Sequence, residues 1–216
     1  MKSYRKLWVV KVGSGLLTHR NGGVDRGLMA SLVNQIVFLK NQGVAVVLVS
    51  SGAISAGMSV LDLSKRPTEQ KALQACATIG QPRLMEAWNA VLKKKGLCAA
   101  QILLTSWDLD SRKLYGNTQA TLKHLLSLGN CVPVFNENDA LSFEEIEMLN
   151  RFGDNDRLSA QVALLAGAQQ LVILSSIDGL RTKPDGTGDL VHVVREIDAT
   201  IMGYAGRTQS QRSVGE

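Results

Sequence analysis

Five short apolar runs constrain this chain more than any other feature: Leu7–Val12, Val44–Val49, Leu97–Leu104, Cys131–Phe135 and Leu171–Leu174. Runs of this length and composition are what strands buried on both faces look like. The segments between them carry helical spacing instead. Leu28, Leu32, Ile36 and Leu39 share one helix face, and Gly43 supplies a stop. Thr68-Glu69-Gln70-Lys71 opens a longer helical stretch towards Lys95, which Pro82 is expected to kink or divide. Leu122, Leu125 and Leu126 mark a third helix closed by Gly129. A fourth begins near Asp154, with Leu158, Val162 and Leu165 on one face. Parallel strands need crossovers, and crossover helices cover both faces of a sheet. The expected fold is therefore α/β: a mostly parallel central sheet with helices on both faces, in three layers. Two stretches, 141–151 and 181–196, break the alternation and are expected to be hairpins or excursions, the second with a Pro-Asp-Gly turn. Without an internal repeat, a low-complexity segment or a linker, the 216 residues read as one domain.

Composition narrows the function classes. The chain is 45% hydrophobic and 20% charged, which suits a globular protein with a full core. The net charge of +5 is thinly spread. Its one tight basic run, Lys93-Lys94-Lys95, suits a solvated helix end, so nucleic-acid binding is not indicated. Cys76, Cys98 and Cys131 are odd in number and widely spaced, and His19, His124 and His192 are isolated, which argues against a zinc site or a disulfide framework. No apolar stretch is long enough for a signal peptide or a membrane span, so no membrane partner is expected and the cytoplasm is the expected compartment.

The unusual polar residues fall where strands end, the edge at which open α/β sheets bind ligands. Lys11 interrupts the first apolar run just before Gly13-Ser14-Gly15. An unpaired buried ammonium is costly, so either the strand surfaces there or an anion meets the charge. "SSGAISAG", Ser50 to Gly57, follows the second run. Its small residues could serve close packing alone, or Ser51 and Gly52 could hold a carboxylate or phosphate at a helix start. "NEND", Asn136 to Asp139, follows the fourth run, and "SSIDG", Ser175 to Gly179, follows the fifth. Asp154, Asn155 and Asp156 sit at a helix start, where capping would explain them as well as ligand binding would. Asp139, Asp154 and Asp156 together with one lysine favour a metal-bridged phosphate or an amine-bearing substrate.

"VVKVGSGLLT", "VSSGAISAGM", "IGQPRLMEAW", "VPVFNENDA" and "FGDNDRLSAQVALLAGA" occur in this order and together resemble the glutamate 5-kinases, a branch of the amino-acid kinase superfamily, from about Lys6 to Ile201. Related aspartate and acetylglutamate kinases usually show a double glycine after the lysine, whereas this chain has Gly13-Ser14-Gly15. The resemblance implies transfer of the γ-phosphoryl group of ATP, with Mg²⁺, to the side-chain carboxylate of L-glutamate, the first step of proline biosynthesis. It implies that Lys11 contacts the transferring phosphoryl group and that Gly13 and Ser14 cradle phosphate. Ser51, Gly52, Asp139 and Asn155 would hold glutamate, with Asp139 on its α-ammonium. Asp156 would orient the lysine, Asp154 would lie near Mg²⁺, and Ser175 and Ser176 would lie near the nucleotide.

Residues 1–168 would form the amino-acid lobe and 169–216 the start of an incomplete nucleotide lobe, with no PUA domain. Two departures stand out. The family commonly has Ser or Thr followed by Asp where this chain has Ser175-Ser176, and "QSQRSVGE" stands where a glycine-rich loop and a second catalytic lysine should begin. A homo-oligomer and feedback by L-proline are also implied. The alternatives are another amino-acid kinase, acting on acetylglutamate, aspartate or carbamate, and a catalytically dead glutamate- or proline-binding subunit.

Overall fold

A computed structural model describes residues 4–19, 23–141 and 154–204. Its centre is a five-stranded parallel sheet of β1 (Lys6–Val12), β2 (Val44–Ser50), β3 (Cys98–Leu104), β4 (Cys131–Glu137) and β5 (Gln170–Leu174), in the spatial order β3-β4-β2-β1-β5. Each expected strand is present, with ends shifted by no more than two residues. β2, entirely buried, is the apolar middle of the sheet. Lys11 in β1 pairs in register with Val49 on one side and Ile173 on the other.

The helices are α1 (Ser14–Leu17), α2 (Arg26–Asn41), α3 (Ala53–Val60), α4 (Gln70–Lys93), α5 (Ser106–Asp110), α6 (Arg112–Leu128), α7 (Asp154–Ala166) and α8 (Ala199–Tyr204). Strand alternation divides the core in two. Val12, Val46, Leu48, Val132 and Val134 pack with Met29, Leu32 and Ile36 of α2 and with Leu84, Trp88 and Leu92 of α4. Val9, Val47, Val49 and Phe135 face the other way, against Leu122 of α6 and Leu158, Val162 and Leu165 of α7. The predicted three layers are thus present.

Asp25 caps α2 by accepting the Leu28 N–H at 2.8 Å, and Gly129 closes α6 at φ 79°. Of the two expected effects of Pro82, division does not occur: α4 runs unbroken from Gln70 to Lys93. Pro82 and Thr78 both lie on its exposed face, where water can meet the carbonyl that the proline leaves without a donor. The expected hairpin at 181–196 is reduced to a single antiparallel bridge, Arg181↔Leu190, around the Pro-Asp-Gly turn. Nearly all of the 141–151 stretch lies outside the described residues.

Candidate active site

Because every strand runs the same way, the loops after β1, β2, β4 and β5 meet at one edge of the sheet. Backbone hydrogen bonds tie them together: Gly13 N–H donates to Leu174 O at 3.0 Å, and Ser51 N–H to Val12 O at 3.2 Å. The first of these commits the N–H of Gly13 to β5, so that group is not free to cradle phosphate. Ser14 keeps a buried hydroxyl without a hydrogen-bond partner among the described residues. Ser175 and Ser176 follow β5 at the same edge.

Lys11 does not surface. It is 4% exposed, on the sheet face that α7 covers, and its Nζ lies 2.9 Å from Asp156 Oδ1 in the first turn of that helix. The Asp156 side chain keeps 38% of its surface in solvent, so the pair has one dry end and one wet end. The ammonium is neutralised by an internal carboxylate and held at the edge where the polar loops gather.

Beside it, Asn155 Nδ2 donates to Ser51 Oγ at 2.6 Å, to Asn136 Oδ1 at 3.2 Å and to Ser50 O at 3.5 Å. Asn136 in turn donates from Nδ2 to Gln81 Oε1 of α4 at 2.8 Å. Below Ser51, Trp88 Nε1–H donates to Ser50 Oγ at 2.9 Å, and both residues are completely buried. This bond fixes the end of β2 against α4. Gly52, at φ 104°, turns the chain into α3 in a conformation that side-chain-bearing residues rarely adopt.

The small residues of "SSGAISAG" have a packing role as well. A Cβ on Gly57 of α3 would collide with the Cys76 carbonyl of α4, and one on Gly80 of α4 would collide with the Ala53 carbonyl of α3. These two glycines let α3 and α4 approach backbone to backbone.

Asp139 stands two residues beyond β4 at the same edge. Burial, and secondarily the negative charge of Glu137, push its carboxyl up from 3.8 to about 7, with Arg66 opposing. A positive charge brought beside this carboxyl would favour its ionised form. Asp154 opens α7, and its side chain lies outside the described residues. Among the described residues no three His, Cys, Asp or Glu side chains cluster as a metal site.

Of the residues picked from sequence, the structure joins Lys11 to Asp156 and Asn155 to Ser51, and it brings Gly13, Ser14, Gly52, Asp139, Ser175 and Ser176 to the same edge. Sequence reasoning missed Gln81, Trp88 and the side chain of Asn136. Gln81 and Trp88 lie in the "GQPRLMEAW" segment, which contributed to the family resemblance but carried no signal for either role.

An all-parallel sheet covered by helices on both faces, with its polar loops gathered at the carboxyl edge around Lys11, defines an open α/β fold. The sequence model of the amino acid kinase family matches residues 6–208, and the chain belongs to that family. It is 48% identical over 208 residues to the glutamate 5-kinase of Pseudomonas putida (strain F1), covering 94% of this chain and 54% of that one. It is 48% identical over 204 residues to that of Ectopseudomonas mendocina (strain ymp), covering 92% and 53%. To that of Thermus thermophilus it is 44% identical over 212 residues, covering 97% and 56%. The chain spans about half the length of the curated relatives it matches.

Proposed function

We propose that this chain forms the amino-acid-binding part of an enzyme that transfers the γ-phosphoryl group of ATP to the side-chain carboxylate of L-glutamate, giving L-glutamyl 5-phosphate, the first step of proline biosynthesis. The observation that carries this reading is the 2.9 Å Lys11–Asp156 pair, set beside the 2.6 Å Asn155–Ser51 bond at one sheet edge. A carboxylate nucleophile is already ionised at neutral pH, so the reaction needs alignment and charge neutralisation rather than a general base.

Lys11 then neutralises charge on the transferring phosphoryl group, and Asp156 holds the lysine in place. Ser51, Gly52 and Asn155 hold the amino acid, and Asp139 takes its α-ammonium. Ser14, Ser175 and Ser176 face the nucleotide. Mg²⁺ would neutralise phosphate oxygens, with Asp154 as the protein group assigned to it. It ordinarily relies on one or two carboxylates plus phosphates and water, so it needs no cluster of protein ligands. We assign residues 1–168 to the amino-acid lobe and 169–216 to the nucleotide lobe, in a cytoplasmic homo-oligomer regulated by L-proline. No helix among the described residues is long and apolar enough to cross a membrane.

The test is a longer chain matched to the relatives' length, assayed for ADP release with L-glutamate, acetylglutamate, aspartate and carbamate. Release specific to L-glutamate, and lost in Lys11→Ala, is the expected result. Preference for another acceptor would overturn the substrate, and near-normal turnover in Lys11→Ala would overturn the site.

A further inference from the structure

Resting on the glutamate reading, we infer that Gln81 is a specificity-determining residue whose side-chain amide donates a hydrogen bond to the α-carboxylate of the bound amino acid. The inference comes from the polarity of a relay of amides. Amide groups can be turned end for end, so direction must be argued from a partner that cannot turn. That partner is the backbone N–H of Glu137, which donates to Asn136 Oδ1 at 3.0 Å. It fixes the oxygen of Asn136 on one side and leaves Nδ2 to donate to Gln81 Oε1 at 2.8 Å. Gln81 must then present its own Nε2 outward, and that nitrogen is buried without a partner among the described residues.

The same oxygen of Asn136 sets the other end. It accepts from Asn155 Nδ2 at 3.2 Å, while the Ser50 carbonyl and Ser51 Oγ accept from the same nitrogen. Asn155 Oδ1 is therefore turned away from all three, and it too is buried without a partner among the described residues. A buried donor and a buried acceptor left open are both costly unless something meets them.

The relay so presents one donor and one acceptor, the complement of a carboxylate and an ammonium on the same small molecule. Asn155 adjoins Asp156 and hence Lys11, where phosphoryl transfer takes place. Gln81 is at the far end of the relay, so it meets the carboxylate that does not react. Gly80, the preceding residue, allows this by bringing α4 against the start of α3.

The experiment is calorimetric titration of the 216-residue chain with L-glutamate and with 4-aminobutyrate, which keeps the reacting carboxylate and the amine but lacks the α-carboxylate. Gln81→Leu and the length-matched Gln81→Met should weaken glutamate ~10-fold or more, the usual effect of losing a hydrogen bond to a charged group. Both should leave 4-aminobutyrate within ~2-fold, because the lost donor has no partner there. Gln81→Glu should weaken glutamate further by setting a like charge against it. Thermal unfolding of each variant checks the fold. Equal losses for both ligands would show a structural role and overturn the inference, as would unchanged glutamate affinity in all three variants. A parent chain that binds neither ligand would overturn the glutamate reading itself, and this inference with it.

Discussion

Replacing Gly80 by alanine adds a single methyl group, and its effect follows from the α3–α4 contact. The new Cβ would lie 1.9 Å from the Ala53 carbonyl oxygen and 2.3 Å from the Gly57 nitrogen. Both obstacles are backbone atoms of a packed helix, so no side chain can swing aside. The helices must separate by roughly 1 Å or more, which opens gaps along a close-packed seam. Overpacking of this kind costs about 1–3 kcal/mol, and a backbone clash belongs at the upper end. Against this, alanine is the better helix former by about 1 kcal/mol.

The net expectation is a loss of about 2 kcal/mol, or a Tm lowered by roughly 4–8 °C for a chain of this size. The matched control is Gly116→Ala in α6, where an added Cβ meets nothing within 4 Å. There only the helix preference remains, and Tm should rise by roughly 2–4 °C. Differential scanning calorimetry of the two variants beside the parent makes the comparison. A Gly80→Ala variant with the parent's Tm or higher would refute the claim that these glycines hold the helices at contact distance.

Other expectations follow from the site. Asp156→Ala leaves Lys11 buried without its partner and should cost about 3–5 kcal/mol in urea unfolding, whereas Lys11→Ala leaves a carboxylate that solvent already reaches and should cost less; equal losses would refute this asymmetry. With the Asp139 carboxyl raised from 3.8 to about 7, the folded state binds a proton that the unfolded state has released across that window. This group's contribution therefore favours folding at acid pH and is lost as pH rises through about 7, so Asp139→Asn should gain stability over the parent from pH 4 to pH 8. An α-ammonium needs the ionised carboxylate, so glutamate affinity should rise from about pH 6 to about pH 8 in the parent and stay flat in Asp139→Asn. Cys98 is exposed, whereas burial raises the thiols of Cys76 and Cys131; iodoacetamide mass mapping should find Cys98 alkylated first, and faster labelling of Cys76 would contradict the packing described.

The strands were legible because a parallel sheet buries both faces of each, leaving runs such as Val44–Val49 with no polar interruption. The exception, Lys11, was legible as an anomaly for the same reason. The strand order was not legible, since periodicity carries no information about which run lies beside which. α4 shows a different limit: whether Pro82 breaks a helix depends on which face it occupies, and that face is set by packing with α2 and α3. The Lys11–Asp156 pair was reached through motif resemblance rather than spacing, because the partners are far apart in sequence; Asn155 and Ser51 were each assigned to glutamate, and the bond between them was not legible. Gln81 escaped notice because nothing in "GQPR" tells a glutamine tied to Asn136 from an exposed helix glutamine. Its orientation comes only from Asn136, whose amide oxygen is fixed by the backbone N–H of the next residue, Glu137.

The position of β1 has a kinetic consequence. One of its neighbours, β2, is reached through the short α1 and then α2, so β1, these helices and β2 form a local unit whose closure costs little chain entropy. Its other neighbour, β5, must close a loop that contains most of the remaining sheet before Lys11 can pair with Ile173. α7 leads directly into β5, so the helix that brings Asp156 to Lys11 docks in the same late step. During synthesis the lysine waits at an unfinished edge while the chain lengthens at about 5–20 residues per second. A species that has folded through β4 but not docked β5 would have a nearly complete sheet and helical content, yet no partner for its central charge.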